Sequence, residues 1–338
     1  MRPDDPAVLA RPVTLDDPRP TLFAVVDTEE EFDWHAPFSR ANTSVTAMAE
    51  IHRAQRVFDR FGVVPTYVVS YPVARQPAGA GPLRSALEEG RATIGAHLHP
   101  WVTPPFLERV TARHSYASNL PPELEAAKLG MLVDAVTRTF GVAATVYKAG
   151  RYALAPRTLE ALVRLGITVD VSVLPHMDFS DSAGPDFSRF DARPRWMARG
   201  RILEIPCTVG FVGAAGERVG AALHRRACLP PWSRLKAVGA LARMGLVNRI
   251  RLSPEGSTLD EMKRLTRSLL SRGLRTFTLT FHSPSVAPGH TPYVRTAADA
   301  EQFLGTIDRY CEFFFGELGG GTCTPQAFRA RLLASEVN

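Results

Sequence analysis

From Leu22 almost to the C-terminus, short runs of consecutive apolar residues alternate with longer stretches in which apolar residues recur every three or four positions. The first pattern suits strands buried on both faces, the second amphipathic helices packed against them. Seven strands are predicted, at about Leu22 to Val26, Val63 to Ser70, Thr93 to Ala96, Thr145 to Tyr147, Thr168 to Val173, Ile202 to Pro206 and Thr276 to Phe281. Helices are predicted between them at Thr43 to Phe61, Leu83 to Glu89, Pro122 to Phe140, Pro156 to Leu165, Leu259 to Ser271 and Ala297 to Phe315. Pro156 stands in a first turn, and Gly62, Gly141, Gly166 and Gly273 stand just past last turns, as helix starts and stops favour. This alternation predicts a parallel α/β sheet, and about seven right-handed units close more naturally into a (β/α)7 barrel than into an open sheet.

The barrel is expected over 21–317, after a Pro- and Asp-rich leader (1–20) and before a C-terminal tail (318–338). The stretch 210–255 breaks the rhythm. It is too long for an ordinary connection, and Leu235, Val238, Leu241, Leu246 and Ile250 predict an amphipathic helix from Leu235 to Ile250, inserted as a subdomain or lid. Arg218, Arg225, Arg226, Arg234, Lys236, Arg243, Arg249 and Arg251 lie in or beside it with no intervening Asp or Glu. Those eight cations against a chain total of +6 leave −2 elsewhere. With Trp232 they give 218–251 two readings, a solvated helix on the barrel or a peripheral contact with an anionic leaflet. The segment carries no nucleic-acid motif or aromatic interleaving, so no nucleic-acid partner is expected.

Composition adds bounds. At 338 residues and 45% hydrophobic the chain can bury a large core. No run approaches the ~18 apolar residues of a membrane helix, and no secretory h-region is visible. Cys207, Cys228, Cys311 and Cys323 are far apart and form no CxxC pair. Free thiols and a cytoplasmic location, peripheral at the inner face of the membrane if the basic segment binds there, are the expectation.

Three of the strand-length runs end in reactive residues. Asp27 and Glu29 follow the first, and extended backbone puts both on one face. One can hold a metal while the other accepts a proton; helix capping or surface charge is the plain alternative. His97 and His99 share the same spacing, which suits two nitrogen ligands of a zinc-like ion. With a carboxylate they make a set that leaves positions open for water and substrate. His282 ends the last run as a general-acid candidate. Lys148, Arg151 and Tyr152 follow the fourth strand, where a cation can pair with Asp27 and keep it ionised. A barrel gathers such residues at the C-terminal ends of its strands.

These residues resemble the motifs of the NodB-homology polysaccharide deacetylases (carbohydrate esterase family 4), and among them a divergent WalW-like branch, over about Leu22 to Glu317. The resemblance implies a distorted barrel of the polysaccharide deacetylase type and metal-dependent removal of an acetyl group from an N-acetylated sugar, here in a cytoplasmic glycan or lipopolysaccharide precursor. It makes Asp27 the base, Glu29 the metal carboxylate, His97 the first histidine ligand and His282 the acid. The divalent metal it implies is zinc, with cobalt the alternative. The second histidine of better-known members falls at Trp101, so His99 takes that place; Lys148 stands for a usual arginine, with Arg151 as a further cation for the base. Trp34, Trp101, Tyr152 and Tyr293 are the implied sugar-stacking residues. Two alternatives keep the fold: an allantoinase-like ring amidohydrolase and a decayed, carbohydrate-binding barrel.

Overall fold

Every one of the seven apolar runs forms a strand in the computed structural model, which describes residues 10–13, 17–214, 216–228, 232 and 237–335. They are β1 (Thr21–Thr28), β2 (Thr66–Val69), β3 (Thr93–Leu98), β4 (Val146–Ala149), β5 (Val169–Asp170), β6 (Ile202–Glu204) and β7 (Thr276–His282). All pair in parallel in the order β6-β5-β4-β3-β2-β1-β7. The helices predicted between them are present, with shifted ends. Pro122–Phe140 runs as expected and stops at Gly141, whose φ of 71° places it in the left-handed conformation glycine tolerates. The first helix begins as a 3-10 turn, Thr46–Glu50, and continues as Ile51–Arg60.

Alternation along the strands sorts the core into two layers. Leu22, Ala24, Val26, Ile94, Ala96, Leu98, Phe277 and Leu279 face the helices. Phe23, Val25, Val68, Val146, Val169 and Leu203 fill the inside of the curl. Gly95 belongs to the inner set: a Cβ there would sit 2.7 Å from the Val146 carbonyl oxygen and 2.9 Å from Val68 Cγ1, so only glycine fits.

The curl is a distorted barrel, open between β6 and β7. The edge of β6 is taken by its own antiparallel hairpin partner, Arg195–Met197, which in turn pairs with Arg11–Pro12. Past β6, Pro206 has no N–H to give to a ladder. The gap is spanned by irregular bonds: the Thr278 amide donates to Thr208 Oγ1 (2.7 Å), Thr278 Oγ1 to the Pro206 carbonyl (2.9 Å), and the Thr280 amide to the Leu252 carbonyl (3.2 Å).

The inserted segment differs from its prediction. Val209–Val212 and Asn248–Arg251 form an antiparallel pair, and the helices Gly216–Cys228 and Ala237–Arg243 lie between them in sequence. No single helix therefore runs from Leu235 to Ile250. The second helix ends at Arg243, Gly245 turns the chain at φ 67°, and Ile250 is buried on a strand. Leu235, Arg234 and Lys236 lie outside the described residues. The segment keeps an exposed apolar set, Val219, Leu223, Trp232, Met244 and Leu246. Among the described residues no helix is long and apolar enough to cross a membrane.

The stretch read as a tail is built into the barrel floor. Gly321–Thr322 adds to β1 in parallel, and the helix Pro325–Ser335 buries Phe328 and Leu332 below the sheet, with Phe328 edge-on to Phe23 at 5.1 Å. Arg19 clasps the same turn through the carbonyls of Gly319 and Gly320.

Candidate metal centre and catalytic pocket

The inner face of β1 reads Phe23, Val25, Asp27 from floor to rim, so the pleat that packs the core also lifts a carboxylate to its top. The same alternation puts His97 above Gly95 on β3, Lys148 above Val146 on β4 and His282 at the end of β7. Register sets Asp27 beside His282 and His97 beside Lys148. Glu29 and His99 continue the two faces just past the strand ends. Glu29 is anchored by its amide, which donates to Ser283 Oγ at 3.1 Å.

Glu29, His97 and His99 offer three ligand atoms within 4.8 Å of one another, all buried. His97 Nδ1 lies 3.0 Å from the Lys148 carbonyl oxygen and His99 Nδ1 lies 2.7 Å from Glu30 Oε1. A carbonyl only accepts, and an ionised carboxylate only accepts. Each Nδ1 therefore carries a proton, which in the neutral ring leaves the lone pair on Nε2, the tautomer a metal requires. The two Nε2 atoms stand 3.3 and 3.4 Å from Glu29 Oε2. Such spacings match the edge, about 3.3 to 3.4 Å, of a tetrahedron with bonds of about 2.0 to 2.1 Å. Glu29 Oε1 is buried without a hydrogen-bond partner. Burial pushes the Glu29 carboxyl up to about 7 and drives the His97 imidazolium well below its ordinary value, aided by the charges of His99 and Lys148. Burial also opposes a charge on His99, but Glu30 outweighs it. These donors fit a divalent cation: a neutral His97, a His99 whose Nε2 proton a cation would displace, and a carboxylate whose isolation it would relieve.

Asp27 is gripped by Lys148, whose Nζ donates to Oδ1 at 2.6 Å and to Oδ2 at 2.7 Å. Burial alone would discharge Lys148, yet Asp27 holds it protonated above the usual lysine range. His282 Nε2 stands 3.7 Å from Asp27 Oδ2, too far for a hydrogen bond, while its Nδ1 donates to Glu255 Oε2 at 2.8 Å. Glu255 also receives the His282 amide (3.0 Å) and the Ser285 hydroxyl (2.6 Å). Burial opposes the imidazolium, but Glu255, then Glu29 and Asp27, outweigh it and hold His282 at about 9. It is an acid that keeps its proton at neutral pH.

Asp27, Glu29, His97, His99 and His282 open onto one cavity of about 390 Å³. Trp34 meets His282 edge-on at 4.9 Å and Tyr293 at 5.7 Å. Trp101 is buried and stacks on His99 at 4.3 Å, so it braces a ligand as well as walling the cavity. Tyr152 stacks on Phe179 at 5.7 Å. Gly150 backs the histidines, since a Cβ there would meet His99 Cδ2 at 2.3 Å.

The structure thus brings together Asp27, Glu29, His97, His99, Lys148, His282, Trp34, Trp101, Tyr152 and Tyr293. Arg151 lines the cavity too, but its guanidinium hydrogen-bonds Ser115 and Tyr116, and among the described residues the cation hydrogen-bonded to Asp27 is Lys148. Its expected pairing with the base is corrected. Glu30, Glu255 and Arg251 were not picked out for the site by the sequence. Glu30 sat in an acidic run readable as surface charge. Nothing local linked Glu255 or Arg251 to a strand end.

No family model matches the sequence, and no curated protein does. Solved structures do share its shape. The chain superposes on a candidate polysaccharide deacetylase from Mycobacterium smegmatis with a TM-score of 0.53 and 16% identity, over 97% of this chain and 95% of that one. A family 4 carbohydrate esterase from Streptomyces lividans matches at TM-score 0.42 and 10% identity, over 91% and 94%. A peptidoglycan deacetylase from Bacillus subtilis matches at 0.42 and 11%, over 95% and 97%. The mycobacterial superposition establishes the fold, an α/β distorted barrel of the polysaccharide deacetylase type.

Proposed function

We propose that this chain is a metal-dependent hydrolase that removes an acyl group, acetyl in the first instance, from the nitrogen of an acylated sugar. One observation carries the reading: a buried Glu29, His97 and His99 cage opens onto the same cavity as a lysine-held carboxylate and a protonated histidine. The motif resemblance and the deacetylase fold support it. When bound, a divalent ion supplies Lewis-acid polarisation of the amide carbonyl and a lowered pKa for water.

The residues divide the rest of the work. Asp27, oriented by both Lys148 bonds, accepts the proton of the water that attacks the acyl carbon. His282 gives its proton to the amide nitrogen as the C–N bond breaks, so a carboxylic acid and a free amine leave. Glu255 restores the proton affinity that burial removes from His282. Trp34 and Tyr293 frame the cavity mouth where a sugar face can stack.

The test is acetate release by zinc- or cobalt-loaded protein from N-acetylated nucleotide sugars and lipid-linked glycans, alongside metal content. Turnover that disappears in Asp27→Asn with metal retained is the expected result. No acetate release from any acylated sugar by protein that holds stoichiometric metal would refute it, and ring opening of a cyclic amide would favour an amidohydrolase instead.

A further inference from the structure

The same cavity carries positive charge that hydrolysis of a neutral amide does not use. Arg151 and Arg251 both line it. Arg151 and Tyr152 hold left-handed backbone, φ 54° and 61°, a costly conformation for residues with side chains and one found where a site must aim them. The Arg151 guanidinium lies 4.1 Å from the Tyr116 ring and 5.1 Å from the Phe38 ring, and donates to Tyr116 Oη at 3.0 Å. Among the described residues no carboxylate lies within ion-pair reach of it.

Arg251 stands against Tyr152, donating to its hydroxyl at 3.1 Å. The nearest carboxylate, Glu255, is 3.9 Å away and already serves the His282 amide, the His282 ring and Ser285. Arg249 is two residues back on the same strand face, contacts the Met177 sulfur, and also lacks a carboxylate among the described residues. Burial lowers the proton affinity of Arg151 and Arg249, as it does for cations without counter-ions. Guanidinium groups held half-buried in an aromatic wall are stabilised when an anion joins them. Several planar, forked donors suit a multiply charged oxyanion better than a single carboxylate does.

We propose that the acylated sugar is a phosphate ester, and that its phosphate or diphosphate is held by Arg251 and Arg151, with Arg249 behind. That the ligand is a substrate rests on the hydrolase reading; the anion site does not.

Titration calorimetry of the metal-loaded full chain compares N-acetylglucosamine 1-phosphate, N-acetylglucosamine and, as the carboxylate comparator, N-acetylmuramic acid. The phosphate ester should bind at least about 10-fold more tightly than the neutral sugar. In Arg251→Gln and Arg151→Gln that ratio should fall toward one, in Arg251→Lys it should fall partway, and in the exposed control Arg267→Gln it should stand. A ratio near one in the unmodified protein overturns the proposal. So does a ratio unaffected by all three cavity substitutions, which would assign the preference to the metal, or an equal preference for the carboxylate. UDP-N-acetylglucosamine and a polyprenyl-phosphate-linked N-acetylglucosamine in detergent tell a nucleotide from a lipid carrier, and tight arginine-dependent binding of either supports the site. Acetate release without phosphate preference removes this proposal and leaves the hydrolase reading. Phosphate preference without acetate release does the reverse.

Discussion

Replacing Glu255 by Gln tests the proton donor without touching it. The amide oxygen can still accept from the His282 main chain and from Ser285, while the amide NH2 replaces the acceptor that faced His282 Nδ1, so the charge goes together with that one hydrogen bond. Against burial, His282 rises from an ordinary 6.5 to about 9, and Glu255 is the largest of the contributions that raise it. That shift corresponds to about 3 kcal/mol favouring the imidazolium. At pH 8 the intact site keeps about nine-tenths of His282 protonated; a value returned to 6.5 leaves about 3%. Turnover at pH 8 should therefore fall up to ~30-fold, while at pH 5 the two proteins should differ little. The alkaline limb of kcat should move down from about 9 toward 6.5. Stability gives a second reading with a definite sign. Because the folded histidine is raised, its contribution is full below about 6.5 and is lost as pH rises through about 9; Glu255 is lowered mainly by His282 against burial, so its share is lost as pH falls below about 4.5. The loss of thermal stability in Glu255→Gln should be greatest between about pH 5 and 7 and shrink above 9. A pH-independent loss of turnover, or an unmoved alkaline limb, would refute the assignment of His282 as an acid poised by Glu255.

Asp27→Asn should abolish acetate release yet keep the metal, whereas Glu29→Ala should lose metal by elemental analysis. Because Asp27→Asn also leaves Lys148 buried without its carboxylate, it should cost about 3 to 5 kcal/mol in denaturant unfolding, and adding Lys148→Met should recover much of that. Gly150→Ala should push His99 off its position and weaken metal binding by about 10- to 100-fold, measured by competition with a chelator. On the helix-facing side of the sheet, burial raises the Asp170 and Glu204 carboxyls, so this pair stabilises most at low pH and loses that contribution as pH rises through its folded values. Glu204→Gln should flatten the decline of the melting temperature as pH rises above the ordinary carboxylate range; an unchanged slope would remove the pair as its cause.

The strands and most of the reactive residues were legible because both signals are local. A strand buried on both faces must be an apolar run, and a residue one step past its end must reach the rim. Asp27, Glu29, His97, His99 and His282 all followed from that rule. What failed depended on partners distant in sequence. The apolar spacing of Leu241, Leu246 and Ile250 fits a helix equally well, and only pairing with Val209–Val212 makes Ile250 part of a strand. Arg151 and Lys148 are three residues apart at a strand end, and the choice of Lys148 as the partner of Asp27 follows from its inward register and from the left-handed turn that points Arg151 elsewhere. Glu255 is one carboxylate in a turn, and its meaning is created entirely by β7 arriving beside it.

The division of the site between β1, β3 and β7 also has a temporal side. Glu29, Glu30, His97 and His99, on strands joined through β2, all precede Glu255 and His282 by more than 150 residues. During vectorial synthesis the ion cage is thus encoded in a growing chain well before the proton donor has been made. Closure waits longer still, because β1 must accept β7 on one edge and Gly321–Thr322 must join beneath it. The cage residues and the proton-donor pair thus enter the chain at different times, yet the Glu29 amide finds Ser283 only when β7 docks, a contact spanning some 250 residues.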